Sequence, residues 1–139
     1  MSERKNRDLA NRWLTTARED IDAAVVLDNG GKYAHTCFLS QQAAEKAVKA
    51  LWFAHGEDPW GHSIQKLIRE FPLERVRGKM KDHVHAASAL DRFYIPTRYP
   101  NGLPDLTPGT TYFQQDAREA LSLATQIIDM CDSMIEKTG

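Results

Sequence analysis

The sequence has few cysteines, no long apolar run and no surplus of charge of either sign. Only Cys37 and Cys131 occur, both on apolar helical stripes, so buried reduced thiols are expected rather than a disulfide framework. No apolar stretch approaches the ~20 residues of a membrane span, and the polar, basic segment 1–7 precedes no apolar run, which predicts a cytoplasmic protein without membrane attachment. The formal net charge of -1 means that any nucleotide or RNA contact needs a local positive cluster.

The composition is that of a folded domain. Of the 139 residues, 42% are hydrophobic and 27% are charged, a mixture that is typical of globular proteins rather than disordered chains. This length is enough for one hydrophobic core that needs neither disulfides nor a metal ion. We therefore expect a single domain over residues 1–139.

Apolar residues recur every three or four positions through most of the chain, which predicts helices. The first four predicted helices cover Asp8–Asp28, Tyr33–His55, Ser63–Phe71 and Glu74–Tyr94. Glycines that follow the first two act as helix stops. The second helix carries a heptad-like seam of Cys37, Gln41, Ala44, Val48, Leu51 and His55.

A proline-rich segment separates the fourth predicted helix from the last. It contains Pro96, Pro100, Pro104 and Pro108. Because proline lacks an N–H and favours extended geometry in the preceding residue, this segment is predicted to be a non-helical loop. Thr111 and Gln114 have capping-box spacing, which predicts the start of the last helix there, with Phe113 as its first inward position. The sequence thus predicts an all-α fold, an up-and-down antiparallel bundle of four main helices plus one short helix.

Motifs that share their order and spacing with one known family cover nearly the whole chain. They are Trp13 and Ala17, the stretch Gln41–Leu51, His62-Ser63-Ile64, Leu90-Asp91, Tyr94, and Arg98-Tyr99-Pro100. In these motifs the chain resembles the minimal HEPN (higher eukaryotes and prokaryotes nucleotide-binding) proteins of bacteria and archaea. The resemblance implies a homodimeric helical bundle, a nucleotide ligand, and a minimal nucleotidyltransferase as partner in a toxin–antitoxin-like pair.

Two glutamines in the second helix allow two interpretations. Gln41 lies on the apolar seam, and a buried Gln must find partners for its carbonyl and its amide. In the first interpretation Gln41 ties this helix to another helix or to a loop backbone. In the second, Gln41 or Gln42 lines a nucleotide pocket.

Three cations are the candidates for a phosphate site. Lys46 and Lys49 are three residues apart and share a helix face, and with Arg98 from the loop they would form the local positive cluster that a phosphate needs. The alternative is that these lysines are solvated surface residues beside Glu45.

Arg98 and Tyr99 are the loop candidates for nucleotide binding. The guanidinium of Arg98 suits a phosphate or a carboxylate, and the ring of Tyr99 offers a surface on which a base can stack. In the alternative, Arg98 caps or salt-bridges neighbouring helix ends while Tyr99 plugs the end of the bundle.

Nuclease members of the family carry an Arg followed four to six residues later by a His, which act on the ribose hydroxyl and the phosphate. No His follows Arg98, because His85 is the last in the chain, and Arg77 and His83 have the spacing only inside a predicted helix, where their side chains diverge. A metal-independent ribonuclease toxin therefore remains only the alternative function.

The other histidines give no metal site. His83 and His85 are two residues apart on a predicted helix and point to different sides, so no zinc site is expected. His62 opens the third helix, where a structural turn contact is expected. No cofactor is expected apart from the nucleotide ligand itself.

Overall fold

A computed structural model describes residues 2–138, and every regular element in that range is helical. The α-helices are α1 Glu3–Asn29, α2 Tyr33–Ala54, α3 Ile64–Arg69, α4 Glu74–Met80, α5 Val84–Asp91, α6 Pro108–Thr111 and α7 Gln114–Thr138. Short 3-10 turns occupy Lys81–His83 and Pro100–Gly102. The all-α fold predicted from the periodicity is confirmed.

Helices α1 and α2 form an antiparallel hairpin. The turn between them uses Gly31 at φ 76°, a left-handed conformation that suits glycine. Residues early in α1 contact residues late in α2, as in the Trp13–Phe53 ring pair at 5.1 Å, whereas Thr36 at the start of α2 donates to the carbonyl of Ala24. The predicted up-and-down order therefore holds for this pair.

Helix α7 completes the bundle by packing against α1 and α2. The guanidinium of Arg18 lies 3.0 Å from carboxylate oxygens of Asp129 and Asp132, and Arg118 near the start of α7 lies 4.0 Å from Asp28 near the end of α1. These pairs show that α7 runs antiparallel to α1. Helix α2 lies at the centre, because its buried residues occur on all sides of the helix.

The core consists of aliphatic and small side chains. The predicted seam of α2 is buried from Cys37 through Leu51, and the apolar residues of the third helical segment, Ile64, Leu67, Ile68 and Phe71, are buried as well. Both cysteines are free thiols, and burial raises the pKa of Cys37 to about 12 and that of Cys131 further in the same direction. The expected reduced, unreactive thiols are confirmed.

The predicted fourth helix over Glu74–Tyr94 is wrong as a continuous element. It breaks into α4 and α5 around the 3-10 turn Lys81–His83, and α5 ends at Asp91. The periodicity of apolar residues indicates which side chains face inward. It does not reveal a short 3-10 turn within a helix, because such a turn keeps a similar spacing of apolar residues.

The ends of the first and last long helices also differ from the predictions. Helix α1 begins at Glu3, because the Ser2 hydroxyl caps it by accepting from the backbone N–H of Lys5. The capping box belongs to Thr107 and Thr110 at α6, whereas α7 begins at Gln114 after a separate contact between Asp116 and the N–H of Phe113.

The proline-rich segment is partly helical, contrary to the prediction. Pro100 opens a 3-10 turn and Pro108 opens α6, at positions where a missing N–H costs nothing. Phe113 precedes α7 and is exposed rather than inward. Within residues 2–138, no helix is both long and apolar enough to span a membrane.

Candidate functional site

Gln41 ties the central helix to the loop before α3. Its amide nitrogen donates to the carbonyl of His62 at 3.0 Å, and its carbonyl accepts from Gln42 at 2.7 Å. Gln41 is fully buried, so these contacts satisfy groups that water cannot reach. The interpretation of Gln41 as a link to a loop backbone is confirmed, and Gln42 supports it.

A buried carboxylate lies one turn further along α2. The side chain of Glu45 is only 5% exposed, and its Oε2 lies 3.1 Å from the ammonium of Lys49 and 3.3 Å from Nδ1 of His62. A buried carboxylate needs such partners to remain charged. Glu45 thus holds both a lysine and a histidine in place at the junction of α2 and the α3 loop.

The ring of His62 is accessible although its position is fixed. Its side chain is 59% exposed, and it stacks on Tyr94 with centroids 5.0 Å apart and planes 17° from parallel. The following Ser63 is held by Asp91 of α5, which accepts from the Ser63 hydroxyl at 2.8 Å and from the N–H groups of Ile64 and Gln65. Elements α2, α3 and α5 therefore converge on His62.

Arg98 lies on the same aromatic surface. Its guanidinium carbon is 4.7 Å from the ring centroid of Phe38, 4.8 Å from that of Tyr94 and 5.1 Å from that of Tyr99. We call Arg98 with these three rings the Arg98 platform. Cation–π contacts of this kind orient a guanidinium without using up its N–H donors.

The turn after α5 aims Arg98 at these rings. Thr97 is buried and its hydroxyl donates to the carbonyl of Phe93, while the backbone N–H groups of Arg98 and Tyr99 both donate to Ile95. Of the guanidinium N–H groups of Arg98, only the Nε–H donates a hydrogen bond among the described residues, to the carbonyl of Tyr94 at 3.2 Å. Within residues 2–138 it has no carboxylate partner, and the residue is exposed.

These contacts test the structural alternative for the loop residues. Arg98 does bind a carbonyl beyond the end of α5, as the capping alternative expects, but it forms no salt bridge in the described part of the chain. Tyr99 is 51% exposed and therefore does not plug the bundle. An exposed ring beside an unpaired guanidinium is an arrangement that can accept a base and a phosphate.

The predicted cluster of Lys46, Lys49 and Arg98 does not form as expected. The ammonium of Lys46 turns toward α1 and lies 2.6 Å from Asp20, while Lys49 is only 12% exposed against Glu45. Among the contacts described for residues 2–138, Arg98 reaches neither lysine. The alternative of solvated lysines also fails for Lys49, whose side chain is only 12% exposed, whereas Lys46 is 28% exposed and pairs with Asp20.

Arg77 and His83 do not form a nuclease pair. Arg77 donates to the carbonyl of Phe71 at 2.6 Å, and His83 lies in the 3-10 turn. In residues 2–138, no three His, Cys, Asp or Glu side chains come together as metal ligands. The chemistry available near Arg98 is therefore that of side-chain cations, rings and one histidine.

Sequence reasoning missed two members of this site. Phe38 falls inside the second predicted helix with no role assigned to it, and the sequence predicts only a turn contact for His62, whereas both lie on the surface that carries Arg98. The resemblance motifs did include His62 and Tyr94, which was the signal that could have found them. His62 contacts Glu45, and Phe38 contacts Arg98. Both pairs are far apart in sequence, so the spacing of residues along the chain could not reveal them.

The fold and this site define an all-α bundle with an accessible arginine on an aromatic surface. The family model described as HEPN domain matches residues 10–134. The chain belongs to the HEPN family.

Relatives of known structure agree with this assignment. TT1696 from Thermus thermophilus is 39% identical, with a TM-score of 0.82 over 89% of this chain and 96% of that one. ST0689, an archaeal HEPN homologue, is 35% identical, with a TM-score of 0.76 over 91% of this chain and 97% of that one. A curated relative, "Putative toxin MJ1304" of Methanocaldococcus jannaschii, is 28% identical over 96% of this chain and 93% of its own length.

Proposed function

We propose that this chain is a nucleotide-binding HEPN module that acts as a homodimer in a toxin–antitoxin-like pair with a nucleotidyltransferase. One observation carries the nucleotide part: Arg98 is held over three rings and keeps its terminal N–H groups unpaired among the described residues. The similarity to the Methanocaldococcus jannaschii protein named "Putative toxin MJ1304" supports the paired system.

The Arg98 platform suits a nucleotide in two ways. The guanidinium can form two parallel hydrogen bonds to a phosphate, and the half-exposed ring of Tyr99 can stack on a base. Lys49 stays on Glu45 and Gln42 stays on Gln41, so both support the site from behind rather than touch the ligand. Lys46 lies on the α1 side and takes no part in this site.

Calorimetric titration with a panel of nucleotides tests this proposal. We expect saturable binding that Arg98→Ala weakens by about tenfold or more, since a charge-assisted hydrogen bond contributes roughly 1.5–3 kcal/mol. Arg92→Ala is the matched control, because Arg92 is an exposed arginine just after the end of α5. Equal affinities in wild type and Arg98→Ala would contradict the proposal.

A metal-independent ribonuclease is the second candidate function. It is favoured by one observation: His62 and Arg98 both lie against Tyr94, so a histidine and an arginine from distant parts of the chain share one surface. His62 is paired with a buried carboxylate, as general bases often are. Incubation of mixed RNA with the same proteins and a chelator distinguishes the two candidates. Only a ribonuclease would cleave the RNA, and that cleavage would be lost in His62→Gln.

A further inference from the structure

A polar cavity lies at the end of the bundle where α1 begins and where α2 and α7 end. It has a volume of about 190 Å³ and is lined by Glu3, Asn6, Arg7, Ala54, His55 and Ile135. None of these residues belongs to the Arg98 platform. We call this cavity the Asn6 pocket.

The amide of Asn6 is the buried polar group of this pocket. Asn6 is only 8% exposed, and its side chain forms no hydrogen bond in the part of the chain that the structure describes. A Cβ placed on Gly56 would lie 3.0 Å from Nδ2 of Asn6, so the amide packs closely against the turn that follows α2. A buried amide without a partner loses the hydrogen bonds that it would make in water. The pocket therefore contains a donor and an acceptor that a ligand can satisfy.

Two opposite charges line the same pocket without pairing with each other. Glu3 and Arg7 are four residues apart on α1, which places them on one face of the helix. Neither forms an ion pair within residues 2–138. Burial and the nearby Arg75 lower the pKa of His55, so this ring is neutral at neutral pH. A simple anion would be repelled by Glu3 and a simple cation by Arg7, whereas a ligand that carries both charges satisfies both side chains.

The remaining lining of the pocket is apolar, and the space is small. Ala54 and Ile135 line it together with the ring of His55, which packs edge-on against Phe71 with the centroids 5.7 Å apart. The volume is below the range of roughly 300–1,000 Å³ that most small-molecule sites occupy. These features suit a compact ligand with a short aliphatic group and leave too little room for a nucleotide.

We propose that the Asn6 pocket binds a free aliphatic α-amino acid of about the size of valine. Arg7 donates charge-assisted hydrogen bonds to the carboxylate, and Glu3 accepts from the ammonium. Asn6 donates to the carboxylate and accepts from the ammonium, because its amide has both kinds of group. The aliphatic side chain contacts Ala54 and Ile135. This proposal does not depend on the function proposed above.

Titration with L-valine at constant pH, followed through histidine ring signals in a proton–carbon correlation spectrum, tests the proposal. His55 lines the pocket, whereas His35 is exposed at the other end of α2. We expect L-valine to shift the His55 signal saturably and to leave the His35 signal unchanged. Isobutylamine lacks the carboxylate of valine and isovalerate lacks its ammonium, so each is expected to bind about tenfold more weakly than L-valine.

Charge-removing variants assign the two ends of the ligand. Arg7→Gln is expected to weaken L-valine binding about tenfold without weakening that of isobutylamine, which has no carboxylate. Glu3→Gln is expected to weaken L-valine binding by a similar factor without weakening that of isovalerate, which has no ammonium. Arg4→Gln removes the same charge as Arg7→Gln from the same helix outside the pocket, and it is expected to leave the affinity for L-valine unchanged.

Three results would overturn the proposal: an unmoved His55 signal, equal affinities for the three compounds, or equal weakening of L-valine binding by Arg7→Gln and Arg4→Gln. The Arg98→Ala protein keeps this test separate from that of the proposed function. We expect Arg98→Ala to bind L-valine with the wild-type affinity even if nucleotide binding at the platform is lost. Loss of the L-valine response in Arg98→Ala would overturn the assignment of a separate site.

Discussion

At the residue scale, Glu45 connects the buried interior to the candidate site. Its carboxylate accepts from Gln41 and also contacts Lys49 and His62, so one nearly buried group orders three neighbours. Removing one partner of such a buried carboxylate leaves a charge without compensation. The position of His62, and with it the stacking on Tyr94, therefore depends on a residue that is itself hidden from solvent.

His55 makes stability depend on pH. Burial lowers its pKa below the usual 6.5, and the positive charge of Arg75 acts in the same direction. The unfolded chain therefore binds more protons than the folded chain near and below pH 6.5, so the free energy of unfolding should fall as the pH falls through this value. Urea denaturation across pH 5 to 8 measures the slope.

The variant His55→Phe isolates this contribution. Phenylalanine keeps a ring against Phe71, whose centroid lies 5.7 Å from that of His55, but it cannot take up a proton. We expect a shallower acid slope in His55→Phe and an unchanged slope in His35→Phe, at an exposed position of α2. Identical slopes in wild type and His55→Phe would show that other groups cause the pH dependence.

At the element scale, α3 depends on a cap supplied by α5. A six-residue helix is too short to be stable alone, and Asp91 satisfies the N–H groups of Ile64 and Gln65 while Ser63 caps Lys66. This link also fixes the loop that carries His62. Asp91 is the last residue of α5, so the position of α5 determines where this cap lies. The break between α4 and α5 therefore affects the loop that carries His62.

Replacing Asp91 tests this link. We expect Asp91→Ala to lower the free energy of unfolding by about 2 kcal/mol, because two backbone donors and the Ser63 hydroxyl lose their acceptor. Asp82→Ala, at an exposed position, is expected to change it by about 0.5 kcal/mol or less. Equal effects of the two variants in chemical denaturation would refute the capping role.

At the scale of the whole molecule, small residues allow the three long helices to pack closely. Alanines are buried along α1, α2 and α7 at helical spacing. Large apolar side chains are instead exposed in the segment after α5, among them Ile95, Leu106 and Phe113. These side chains are the candidates for the dimer contact that the proposed function requires.

The proposed homodimer can be tested through these exposed side chains. Sedimentation velocity is expected to show a dimer at micromolar concentration, and Phe113→Glu is expected to shift it toward monomer by placing a charge in the apolar contact. Leu73→Glu is the control, since Leu73 is an exposed apolar residue two positions after Phe71, which packs on His55 at the far end of α2. A wild-type monomer at that concentration would exclude the homodimer.

The sequence alone determined the helical class, the buried seam of α2, the family, and the choice of Arg98 and Tyr99 as candidates. These depend on residues that are close in the chain, because a helical period of 3.6 places neighbouring turns on the same face. The family could be predicted in addition because several short motifs occur in the same order and spacing as in HEPN proteins.

Only the tertiary structure decided which charges meet. It paired Lys46 with Asp20 instead of leaving it in a positive cluster with Arg98. It also placed His62 on Glu45 and Tyr94, broke the fourth helix, and turned Phe113 outward. Each outcome depends on residues from separate helices, and a charged side chain takes whichever opposite charge the packing brings within a few ångströms. Spacing along the chain carries no information about such distances.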